Sequence, residues 1–90
     1  MVEGKTKSGF EYKIEEERFD DYETFEKICA IDSDNRNVAL VIEVFNELLG
    51  QQQYKELKEH IRNENGRVST NLMMEALFDI LNSDAVEIKN

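Results

Sequence analysis

A chain of 90 residues fits one small domain and is too short for two independent cores, so residues 1–90 are expected to fold as a unit. A formal charge of −9, from 20 acids against 11 bases, repels phosphate backbones and anionic bilayers, which disfavours nucleic acid and membrane as partners. One cysteine excludes an internal disulfide and a cysteine-built zinc site.

In chain order, "MVEGKTKSG" is polar and mixed, and residues 1–8 are expected to be a flexible lead. "FEYKIE" (10–15) alternates strictly, with Phe10, Tyr12 and Ile14 on one side, the pattern of a half-buried strand. "DDYETFEKICAID" changes period: Phe19, Tyr22, Phe25, Ile28 and Cys29 recur at helical spacing. Asp20 followed by Glu23 resembles a capping box, and Cys29 is expected to be a small buried hydrophobe. "DSDNRN" (32–37) is turn-like.

"VALVIEVFNELL" (38–49) is the most apolar helix. Val38, Val41, Ile42, Phe45, Leu48 and Leu49 make one stripe, and Leu40 and Val44 widen it beyond one core face. Gly50 closes this helix or starts the next turn. "QQQYKELKEHIR" (51–62) has a thin stripe of Tyr54, Leu57 and Ile61. "NENG" (63–66) is a stop, with Gly66 able to take a positive φ. "STNLMMEALFDILNS" (69–83) opens with a Ser/Thr cap and is apolar around most of its circumference. Val86 and Ile88 form a candidate short C-terminal strand. The fold expected is mostly α: a compact bundle of about four helices with one short N-terminal β-strand.

Catalytic chemistry finds little to stand on. His60, the single histidine, lies on a polar helix beside Glu56, Glu59 and Glu64, with no nucleophile placed near it. Asp32, Asp34 and Glu43 match three positions of the calcium loop, but Arg36 and Asn37 occupy positions that need an oxygen ligand and a glycine. No catalytic residue, metal or cofactor is therefore expected. The stretch from Glu15 to Glu26 holds seven acids and one Arg and reads as a solvated face. No apolar run reaches the roughly 18 residues of a bilayer span, and no signal segment opens the chain, so a cytoplasmic protein is expected.

The remaining signal is surplus apolar surface on helices 38–49 and 69–83, which points to association. Leu77 and Leu81 are expected to face the core. Met74 and Phe78, about 60° further round the helix, are candidate partner contacts, together with Leu40 and Val44. The strand at 10–14 has no obvious long partner within the chain, and a lone strand is unstable in water, so either "AVEIK" near the C-terminus or another subunit pairs with it, and a homo-oligomer is expected.

The order of several motifs resembles the tail assembly chaperones of long-tailed bacteriophages and their prophage relatives. These are the Ser-Gly-Phe strand start at Ser8 to Phe10, the acidic "DDYE" helix start, the Leu-Leu-Gly-x-x-Gln-x-x-x-Leu joint (Leu48, Leu49, Gly50, Gln53, Leu57), and the Asn-Gly-Arg-Val turn at Asn65 to Val68. The resemblance covers about residues 6 to 82. It implies a non-enzymatic protein that binds the tape-measure protein and keeps it soluble during tail assembly in the host cytoplasm, and that is absent from the mature virion. Many members of that family are made in a short and a C-terminally extended form by ribosomal frameshifting, and a chain of this length would correspond to the short form. The rival from another class is an acidic inhibitor or regulator that mimics DNA charge.

Overall fold

The computed structural model describes residues 1–33 and 38–82. Most of the turn at 32–37 and the candidate strand at Val86 and Ile88 lie outside the described residues. The elements are β1 (Val2–Lys5), β2 (Glu11–Ile14), α1 (Glu16–Phe19), α2 (Tyr22–Ser33), α3 (Val38–Ile61) and α4 (Thr70–Leu81). The mostly helical fold is as expected, with a two-stranded antiparallel sheet at its N-terminal end.

That sheet corrects the expectation of a flexible lead. β1 pairs with β2 in the register Val2↔Ile14, Glu3↔Lys13, Gly4↔Tyr12 and Lys5↔Glu11. The strand is hard to see because Gly4 reads as a breaker. Its role is packing: the Tyr12 ring lies across it, and a Cβ there would stand 2.3 Å from the Tyr12 hydroxyl. The pairing also removes the original reason for expecting self-association, since β2 has its partner inside the chain.

The hairpin turn is built by its own polar residues. The Thr6 N–H donates to Phe10 O at 2.9 Å and Thr6 O accepts from the Gly9 N–H at 2.9 Å. Thr6 Oγ1 accepts from the Phe10 N–H at 3.2 Å and meets Ser8 Oγ at 2.9 Å. Gly9 takes φ 95° there, a left-handed conformation open to glycine at no steric cost.

Asp21, not Asp20, caps α2: its Oδ1 accepts from the N–H groups of Glu23 (2.9 Å) and Thr24 (3.3 Å). Asp20 is taken up in closing α1, its N–H donating to Glu16 O, so the cap falls one residue later. Ser69 caps α4 as expected, accepting from the Leu72 N–H at 3.2 Å. The 63–66 loop closes on Asn63, whose Oδ1 accepts from the N–H groups of Asn65 and Arg67. Gly66 has φ 80°.

α3 is two limbs joined at Gly50, where φ 78° and ψ 166° leave helical space. Across this break Phe45 and Tyr54 stack, with centroids 5.0 Å apart and planes 13° apart. One buried cluster joins Phe10 of the hairpin turn, β2 (Tyr12, Ile14), α2 (Ile31), both limbs of α3 (Val44, Phe45, Leu48, Leu57) and α4 (Leu77, Ile80). Burying side chains of this size contributes about 1.5–3 kcal/mol each relative to leaving them exposed.

Candidate protein-binding surface

The joints of the fold position its surface, and the first is at Gln53. Lys13 lies opposite Glu3 in the β1–β2 ladder, and its backbone N–H and C=O point away from β1. Gln53 takes both: its Oε1 accepts from the Lys13 N–H at 2.8 Å and its Nε2 donates to Lys13 O at 2.7 Å. The same Nε2 donates to Leu49 O at 2.9 Å, the last carbonyl before the break, a group that a helix end leaves without a partner. One amide side chain thus imitates a neighbouring strand and closes a helix end. Gln51 and Gln52 are exposed.

The second joint lies between α2 and α3. Glu47 accepts from the buried Thr24 Oγ1 at 2.8 Å and from Lys27 Nζ. The hydrogen bond to Glu47 leads in raising the Lys27 pKa above the usual lysine value. Burial opposes the rise, and the negative charges of Glu47, Glu43 and Glu23 add to it. Arg18 spans the same region and donates to Glu47 O at 3.4 Å.

The third joint clasps the hairpin turn. His60 Nε2 donates to Ser8 O at 2.9 Å, and its ring lies 5.7 Å from the Phe10 ring. Asp79 on α4 accepts from the Lys7 N–H at 2.9 Å. His60 is exposed, but it tethers the hairpin as well as facing water.

The four expected partner contacts separate. Phe78 is 37% exposed. Met74 and Leu40 are half-buried against the core. Val44 is wholly buried, so it offers no surface, and its assignment as a partner contact is corrected. Leu77 faces the core completely, while Leu81 is half-buried. The stripe on the first limb of α3 is Val41, Val44, Phe45, Leu48 and Leu49, and it leaves Val38 and Ile42 exposed at 59% and 45%. Helical spacing assigns both to the core stripe. "VALVI" is apolar on every side, so helical period alone could not choose the face; packing against α2 and β2 does. Leu72 is also exposed.

All seven acids between Glu15 and Glu26 are exposed. Cys29, expected to be buried, is exposed as well, because Ile28 and Ile31 turn the helix's apolar side elsewhere. A cleft of about 290 Å³ lies beside the Gln53 joint, lined by Met1, Lys13, Glu15, Arg18, Leu49 and Gln53. Its charges are mixed, and it holds no nucleophile beside a base. Among the described residues no three His, Cys, Asp or Glu side chains converge to hold a metal ion. No helix among the described residues is long and apolar enough to cross a membrane.

Comparison of the chain with protein-family models, with curated proteins and with solved structures returned no match.

Proposed function

We propose that this protein is a non-enzymatic assembly chaperone of phage tail morphogenesis, acting in the host cytoplasm as a homo-oligomer on the tape-measure protein. The observation that carries this reading is apolar surface outside the buried core. Val38 and Ile42, one turn apart on α3, and Leu72 and Phe78 on α4 remain exposed, outside the buried cluster that already joins β2, α2, α3 and α4. Exposed apolar positions on helices suit the capture of apolar helix segments of a client. The residues that carry the resemblance add support, because they are the fold's joints: the Ser8–Gly9–Phe10 turn, the Gly50 break with Gln53, and the loop ending at Val68. The exposed acids from Glu15 to Glu26 would keep the loaded complex soluble.

The test is co-expression with a tape-measure protein. The client is expected in the soluble fraction with this protein and in the pellet without it. A client that stays insoluble in both overturns the reading. The exposed acidic run favours one alternative, mimicry of a DNA backbone. Displacement of duplex DNA from a basic DNA-binding protein would support it.

A further inference from the structure

We propose that the outer edge of β1 is a homodimer interface, in which two copies pair β1 to β1 antiparallel about a two-fold axis at Gly4. The two edges of the sheet are treated differently. On β2, Gln53 takes the outward N–H and C=O of Lys13. On β1, Glu3 and Lys5 lie opposite Lys13 and Glu11, so their own backbone N–H and C=O also point outward. α4 packs against β1 and its Asp79 takes the N–H of Lys7 just beyond the strand, at 2.9 Å, but no described residue hydrogen-bonds to the outward groups of Glu3 and Lys5. Among the described residues this stretch of edge is open, and an open edge is a template for another strand.

Charge selects the occupant and the register. An antiparallel pairing of two identical strands joins outward groups to outward groups in three nearby registers. One sets Glu3 against Glu3 of the partner subunit, and one sets Lys5 against Lys5 of the partner subunit. The register centred on Gly4 sets Glu3 against Lys5 of the partner subunit, twice by symmetry. Opposite charges directly across a ladder stabilise it and like charges destabilise it. The same register exchanges four backbone hydrogen bonds. It also brings Gly4 to Gly4 at the non-hydrogen-bonded position, where strands approach most closely. The result is a four-stranded sheet in the order β2–β1–β1–β2. This inference stands independently of the client proposed above.

The experiment is amide hydrogen exchange with sedimentation across a concentration series of the full chain. Protection of the Glu3 and Lys5 amides should rise with concentration as the 10.5 kDa monomer converts to dimer. The Gly4 amide, which faces β2, should be protected throughout. Lys5→Glu with Glu11→Lys, which keeps opposite charges across the hairpin itself, should weaken the dimer about tenfold or more, and adding Glu3→Lys with Lys13→Glu should restore it to within about threefold. Glu3→Pro should abolish the dimer and keep the Gly4 protection, because an outward N–H can be lost without harm to the hairpin. A monomer at every concentration, or a dimer that survives Glu3→Pro, overturns the proposal. So does protection of Glu3 and Lys5 that ignores concentration, since the occupant is then a segment of the same chain.

Discussion

Gln53 is bonded to Lys13 as a strand would be, through one acceptor and one donor on a single amide. This ties the second limb of α3 to the sheet and fixes the angle at which the two limbs of α3 leave Gly50. It also assigns one glutamine of the "QQQ" run a role that the other two lack.

Replacing Gln53 with Ala should therefore destabilise the fold by about 1–2 kcal/mol, because three bonds are lost and water recovers part of each. Gln51→Ala and Gln52→Ala, on exposed positions, should stay within about 0.5 kcal/mol of the parent. Urea denaturation of the three variants checks this. Equal stabilities would remove Gln53 from the joint.

Gly50→Ala probes the same joint through the backbone. The combination of φ 78° and ψ 166° is open essentially to glycine alone, and other residues are strained there by about 1–3 kcal/mol. An added Cβ would also stand 3.3 Å from Arg18 Nη1. The same denaturation series should show a loss in that range, whereas Gly66→Ala, with a positive φ but nothing within 4 Å, should lose less.

Much of this joint was legible in the sequence, though not all for the same reason. Glycines and caps act locally, so Gly50, Gly66 and Ser69 declared themselves. Gln53 stood out only as a position of the Leu-Leu-Gly-x-x-Gln joint; its bonds to Lys13 were not legible, because that partner is 40 residues away. β1 stayed hidden because Gly4 answers to the Tyr12 ring rather than to any local pattern. The face of α3 was misread at Val38, Ile42 and Val44 because apolar residues surround that limb. Only the neighbouring elements decide which of them is covered.

The revised faces predict a sharp contrast on α4. Leu77 is fully buried, and Leu77→Ala should cost about 2–5 kcal/mol. Phe78 is 37% exposed, and Phe78→Ser should cost clearly less while leaving the helical circular dichroism intact. The reverse order, measured by thermal melts, would mean that the helix is rotated.

Lys27 predicts an alkaline effect. Its pKa is raised above the usual 10.5, first by the hydrogen bond to Glu47. A folded-state pKa above the unfolded value gives stability that is complete below the unfolded pKa and is lost as pH rises through the folded one. Melting temperatures followed from about pH 9 to about pH 12 should fall more steeply in the parent than in Lys27→Met. Parallel curves would mean that the ion pair is not held in solution.

The measurement that bears most directly on function is client solubility with the exposed apolar residues removed. Ile42→Ser combined with Phe78→Ser changes two surface positions and should leave the fold cooperative in urea. Co-expressed with a tape-measure protein, the parent should hold the client in the soluble fraction and the folded double variant should release it to the pellet. A double variant that folds and solubilises the client as well as the parent would contradict the account.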